Sequence, residues 1–345
     1  MRTMAEDRVS KLFMLVCLCF CLTTLLMTYN TFFIDEGIVE IDEDEEDLYQ
    51  DIQNRNFRDK DRPVNMDSHS HADDDSTKAD ELYNRVRVLC WVMTSPSNLD
   101  RKGLAVRTTW AKRCNKYIFF SSVTNDSFPT IGLNVSEGRQ HLTGKTVQAF
   151  TYCYENYGNS FDWFLKADDD TYVIVENLRF FLSHHNPKDL VYFGHRFKAI
   201  VKQGYFSGGA GYVLSQQALK KFVQVGLRNP LLCRRDGGAE DAEIGKCMQR
   251  LEIKVGDSLD VNGRESFHPF TPIAHLQGNY PGWFYNHTFH KVQKGLGCCS
   301  DYSVSFHYMS PADMYLMDYL VYHLRPFGLH RIDKNANYFL PIDKQ

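Results

Sequence analysis

Trp163-Phe164-Leu165 is a run of bulky apolar residues that passes through Lys166 and Ala167 directly into three aspartates, Asp168 to Asp170. This pattern predicts a short buried strand that stops where the charge begins. Comparable apolar stretches recur at Val86 to Met93, Tyr117 to Val123, Leu190 to Gly194 and Tyr212 to Leu214. Helical windows stand at Leu104 to Trp110, Lys145 to Tyr157, Glu176 to His184, Gln216 to Val225 and Asp241 to Leu251. Apolar strands alternating with helices point to an α/β fold, with a central parallel or mixed sheet flanked by helices. The folded body is expected to start at Asp80 to Asn84, and nothing in its pattern marks an internal domain boundary.

Apolarity has another meaning near the N-terminus. Leu12 to Tyr29 holds no charged residue and Phe32 to Ile34 extend it, giving about 20 residues, enough for a helix across about 30 Å of hydrocarbon. Arg8 and Lys11 precede the run, whereas Asp35 and Glu36 follow it. The basic flank is expected to stay cytoplasmic. The organisation read from this is a cytoplasmic tail at 1–11, a signal-anchor transmembrane segment at 12–34, an acidic flexible stem at 35–80 and a lumenal domain at 81–345. A cleaved signal peptide is the alternative reading, but the run is long for one and no clean small-x-small site follows it.

Charge follows the same division. Asn30 to Asp80 carries 17 acidic and 5 basic residues, whereas Glu81 to Gln345 carries 31 basic and 24 acidic ones. So self-repelling and weakly apolar a segment cannot offset the entropy of forming a core, which makes it a tether. The mildly basic body suits an anionic small ligand; a dense Lys/Arg stripe for nucleic acid is missing.

Seven of the ten cysteines lie in the body: Cys90, Cys114, Cys153, Cys233, Cys247, Cys298 and Cys299. An odd number leaves at least one free or externally paired thiol, and without a zinc-type CxxC spacing disulfides are the expected use. Three glycosylation sequons, at Asn125, Asn134 and Asn286, fit a lumenal body.

The aspartates carry the clearest chemistry. Asp168 and Asp170, one residue apart at a strand end, can face one Mg²⁺ or Mn²⁺ and a diphosphate, with Asp169 orienting the loop or touching a sugar. An exposed acidic turn is the plainer alternative. Glu240-Asp241 opens a helical window, where an aspartate either caps backbone donors or serves as a general base. The Gly208-Gly209-Ala210-Gly211 stretch lacks the spacing of a dinucleotide fingerprint and reads as a tight turn or a ligand loop.

Longer motifs join these pieces. They are RVLCWVMTSP at Arg87 to Pro96, TWAKRCNK at Thr109 to Lys116, DWFLKADDDTYV at Asp162 to Val173, VKQGYFSGGAGYVLS at Val201 to Ser215, EDAEIGKCM at Glu240 to Met248, and SFHY followed by YLVYHLRPFG. Through them residues 83–330 resemble the catalytic body of the core 1 beta-1,3-galactosyltransferases, in glycosyltransferase family 31, which also holds Fringe-like enzymes. The resemblance implies a GT-A fold and a Golgi type II membrane enzyme that uses Mn²⁺ or Mg²⁺. Its reaction would move galactose from UDP-galactose to O3 of GalNAc on Ser or Thr of glycoproteins, with inversion.

Carried onto this chain, the family roles make Asp168 and Asp170 metal ligands and Asp241 the base. They also imply a C-terminal metal-facing histidine, His307 or alternatively His268. Arg107, Trp110 and Asp169 become donor-binding residues; Tyr205, Gly208, Gly209 and Glu240 become acceptor or pocket residues. Trp283, read from its aromatic side chain alone, borders a sugar or peptide groove or else packs ordinarily in the core or on the surface. Cys90 with Cys114 and Cys233 with Cys247 are the implied disulfides, Cys298 and Cys299 pair with each other or elsewhere, and Cys153 is left free. A homodimer and a dedicated chaperone stay open as partners, as do two other functions: a Fringe-like enzyme with another donor or acceptor, and a non-catalytic chaperone-like relative. Intact Asp168 to Asp170 favour catalysis over the last.

The anchor reading predicts that the full chain stays in carbonate-washed membranes and that its body is protected inside sealed microsomes. A mature chain recovered as a soluble product beginning after residue 30 would reject it.

Overall fold

The computed structural model describes residues 64 and 75–326, all within one unit of the chain, Asp59–Gln345. The apolar run at 12–34 and nearly all of the stem lie outside the described residues. Among the described residues no helix is long and apolar enough to cross a membrane.

Along the chain, α1 (Thr77–Arg85) leads into β1 (Val88–Met93), followed by α2 (Leu104–Thr108), β2 (Lys116–Ser121), β3 (Thr130–Gly132) and α3 (Leu142–Tyr157). Next come β4 (Trp163–Asp168), β5 (Tyr172–Val173), α4 (Val175–Leu182), β6 (Val191–Gly194), β7 (Arg196–Phe197), β8 (Tyr205–Phe206) and β9 (Tyr212–Ser215). The rest comprises α5 (Gln216–Lys221), α6 (Glu240–Arg250), β10 (Lys254–Val255), β11 (Phe267–His268), α7 (Pro272–Gln277), α8 (Gly282–His287), β12 (Ser305–Phe306) and α9 (Pro311–Tyr322).

Seven strands form the central sheet in the order β10-β6-β9-β4-β1-β2-β3. β4, β1, β2 and β3 run parallel, while β9 lies antiparallel between β4 and β6. This mixed sheet flanked by helices agrees with the α/β, GT-A-like expectation. A small sheet, β11-β12-β5, packs beyond it, with β7 and β8 forming a separate pair.

Both faces of the central sheet are covered, which is why its strands are apolar throughout rather than alternating with polar residues. Val88, Cys90 and Val92 of β1 enter one core while Leu89, Trp91 and Met93 enter the other. β4 sends Trp163, Leu165 and Ala167 to the first core and Phe164 to the second. By the same two-residue period Lys166 and Asp168 follow Phe164.

α1 begins at Thr77; its Leu82 packs on the core and its Tyr83 lies under the Arg179 guanidinium, 4.6 Å from the ring centre. The helix expected over Gln216 to Val225 divides into α5 and a wider π turn at Phe222–Gly226. Cys90 bonds to Cys114, Cys233 to Cys247 and Cys298 to Cys299. Cys153 is free and buried in α3, and that burial pushes its thiol up, away from the reactive thiolate.

α9 is fastened by a buried ion pair. Asp318, fully enclosed, sits 2.8 Å from Arg113 Nη1 and accepts a 3.0 Å hydrogen bond from the Tyr172 hydroxyl. Asp318→Ala strands both partners in the interior, and chemical denaturation should register a loss of about 3 kcal/mol or more. An unchanged unfolding midpoint would show that the pair is dispensable.

Candidate active site

Topology delivers three loops to one edge of the sheet. β1 and β4 are parallel and end together, Met93 opposite Asp168. Because β9 is antiparallel to β4, the glycine-rich turn that feeds β9 also arrives at that edge, with Tyr212 opposite Lys166.

Asp169 is turned inward. Its Oδ2 accepts hydrogen bonds from Thr94 Oγ1 (2.7 Å) and Asn98 Nδ2 (2.9 Å), fastening the chain that leaves β1. Burial and the neighbouring Asp170 charge, opposed by Lys102 and these two bonds, raise its carboxyl to about 6.

Asp168 and Asp170 remain available. They gather with His307 so that one ligand atom from each lies within 4.8 Å of the others. His307 Nε2 is 3.2 Å from Asp170 Oδ1, and Lys102 Nζ donates to Asp170 Oδ2 at 3.1 Å. Burial alone would raise the Asp170 carboxyl, but His307 and Lys102 outweigh it and hold it well below the usual range. Two carboxylate oxygens and one imidazole nitrogen suit a divalent cation of hard to borderline character.

His268 does not join this group. Ser266-Phe267-His268 and Ser305-Phe306-His307 are the same tripeptide, but β11 and β12 pair with His268 opposite Phe306. That one-residue offset turns the two histidines to different sides. His268 stacks on Phe306 and shares a 3.0 Å hydrogen bond with Ser303 Oγ, fully buried.

Behind this cluster of possible ligands stands Lys166, which sequence reasoning missed. Its buried ammonium donates to Asp168 Oδ1 (2.6 Å) and to the Gly208 carbonyl (2.9 Å). Burial opposes its charge, yet Asp168, Glu240 and Asp241 together raise its pKa and keep it protonated. A charge two residues before the first ligand, on the same face of an otherwise apolar strand, was the signal that would have found it. Lys102 carried no such signal.

α6 supplies the remaining carboxylates. Glu240 Oε1 accepts from Thr146 Oγ1 (2.8 Å) and the Tyr212 hydroxyl (2.7 Å), deep in the protein. Asp241 lies inside the helix after the capping position, which is Ala239. Burial and the Glu240 charge lift Asp241 to about 6, against hydrogen bonds from the Ala242 and Gly208 amides and the charge of Lys166. It is therefore an ionised acceptor at neutral pH with unusual proton affinity.

Two glycines let these parts meet. A Cβ on Gly208 would stand 2.7 Å from Glu240 Oε2, and one on Gly209 would stand 2.0–2.4 Å from the His307 ring. Thr171 Oγ1 fixes the turn by donating to the Gly209 carbonyl at 2.7 Å.

Other candidates lie elsewhere. Trp110 is wholly buried in the first core, among apolar neighbours. Arg107 is half-buried with its guanidinium 5.3 Å from the Phe128 ring centre. Tyr205 is buried and Trp283 partly buried in a third apolar cluster with Phe197, Phe270 and Phe284. Asn134 and Asn286 are exposed; Asn125 is half-buried, its Oδ1 accepting the Ser127 and Phe128 amides.

A family model described as Fringe-like matches residues 88–272. Glycoprotein-N-acetylgalactosamine 3-beta-galactosyltransferase 1 of Xenopus laevis is 47% identical over 265 residues, covering 76% of this chain and 73% of that protein. Beta-1,3-glucosyltransferase of Mus musculus is 26% identical over 193 residues, 54% of this chain and 36% of its own. Chondroitin sulfate synthase 3 of Homo sapiens is 26% identical over 205 residues, 53% and 23% respectively.

Gly209→Ala forces a methyl group into the His307 ring. Divalent-metal affinity should fall by about tenfold or more, the scale for disturbing the support of a ligand, while thermal unfolding shows the protein still folded. Unchanged metal affinity would mean that His307 stands outside the cation site.

Proposed function

The chain belongs to the Fringe-like family of glycosyltransferases, and from that premise we propose that it transfers galactose from UDP-galactose to O3 of GalNAc on Ser or Thr of glycoproteins, forming the core 1 O-glycan. The observation that carries the proposal is the Asp168, Asp170 and His307 cluster standing beside the raised carboxyl of Asp241, with buried Lys166 bonded to Asp168 and to the carbonyl of Gly208, whose amide bonds Asp241. Similarity to the Xenopus laevis galactosyltransferase supplies the sugar and the acceptor.

Asp168, Asp170 and His307 would hold the cofactor, Mn²⁺ or Mg²⁺, which supplies positive charge against the donor diphosphate. Lys102, at 3.1 Å from Asp170, adds a basic group on the side where leaving-group charge develops. Asp241 accepts the proton of the acceptor O3 as that oxygen attacks the anomeric carbon. Glu240, next to it, is held in the interior with its Oε1 engaged by Thr146 and Tyr212. A single displacement from the face opposite UDP inverts the anomeric centre, with no covalent sugar on the protein.

We read the chain as a Golgi type II membrane protein with 12–34 as its anchor and 81–345 as its lumenal catalytic domain. The apolar run with its basic flank, the sequons and the body disulfides support this reading.

Asp241→Asn should lower transfer to a GalNAc-threonine peptide by about 10²-fold or more, with UDP and metal binding and unfolding temperature little changed. In the wild type the rate should be full above about pH 7, fall to about half near pH 6 as Asp241 takes up a proton at its pKa of about 6, and decline further below. Near-normal transfer by the folded variant would remove Asp241 from the base role.

A further inference from the structure

His268, His275 and Cys299 form a second ligand cluster, each offering an atom within 4.8 Å of the other two. Both histidines are buried, and each already uses one ring nitrogen. His268 Nε2 is 3.0 Å from Ser303 Oγ, and His275 Nδ1 is 2.9 Å from the Tyr280 hydroxyl. The other nitrogens, His268 Nδ1 and His275 Nε2, are buried with no hydrogen-bond partner.

Buried polar atoms are rarely left so. A ring with one nitrogen anchored by a neighbour and the other free is the arrangement of metal-binding histidines, whose second nitrogen fixes tautomer and orientation. What the cluster lacks is a thiolate, because Cys299 is bonded to Cys298.

We propose that opening the Cys298–Cys299 bond turns Cys299, His268 and His275 into a zinc site, separate from the candidate catalytic cation. A dithiol reductant passes two electrons and two protons to the sulfur pair and becomes a disulfide itself. Cys299 then loses its thiol proton as its sulfur binds Zn²⁺. One sulfur and two imidazole nitrogens are a zinc-type set, with water completing four ligands. His275 and Cys298 line a small, partly open cavity. The His307 amide donates to the His268 carbonyl at 3.1 Å, so this site lies directly behind a residue of the active-site cluster.

The test uses the full-length protein in detergent and Co²⁺ as the spectroscopic stand-in for Zn²⁺. Cys298→Ala frees Cys299 without reductant. It should show a thiolate-to-cobalt charge-transfer band, saturating at one equivalent and displaced by Zn²⁺, that the oxidised wild type lacks. Wild type treated with a thiol-free phosphine should gain the same band, and Cys298→Ala combined with His275→Ala should lose it while remaining folded. A folded Cys298→Ala without the band would overturn the proposal, as would a band that survives His275→Ala. Should Cys298→Ala fail to fold, the phosphine-treated wild type, read with and without His275→Ala, decides in the same way.

Discussion

A single buried ammonium organises the active-site edge. Lys166 sits where carboxylates arrive from β4 and α6, and it bonds both Asp168 and the carbonyl of Gly208. Enclosed charge persists only when paired and hydrogen-bonded, because stripping water from an unpaired ion costs several kcal/mol. The ammonium therefore ties the strand end to the glycine turn, and the Gly208 amide in turn bonds Asp241 at the start of α6. The carboxylates in turn raise its pKa and keep it charged.

That dependence explains the glycines. The turn must pass between Glu240 and His307, and side chains at Gly208 and Gly209 would collide with one or the other. It also explains the reversed strand. A parallel β9 would begin at the far edge of the sheet, carrying the Gly208 carbonyl away from Lys166; antiparallel β9 begins beside the end of β4.

The parts of this arrangement that were legible in the sequence were those set by one-dimensional patterns. Strands buried on both faces announce themselves as apolar runs, and Asp168 and Asp170 stand out because charge cannot continue inside such a sheet. Register was not legible. His268 and His307 share one tripeptide context, and only the pairing of β11 with β12 separates them. Trp110 shows the same limit from the other side, since an aromatic in a motif looks alike whether it walls a pocket or fills a core. Lys166 was readable by its phase on β4, but its importance rests on Glu240 and Asp241, more than seventy positions away in the chain.

An inverting galactosyltransferase is defined by the bond it forms, and that bond is the most direct test for this chain. Purified protein incubated with Mn²⁺, UDP-galactose and a GalNAc-threonine peptide should yield a product whose NMR spectrum shows galactose joined in beta configuration to O3 of GalNAc. UDP-glucose and UDP-GlcNAc offered in its place should give little product. An alpha linkage, attachment at another hydroxyl, or preference for one of the other donors would contradict the account.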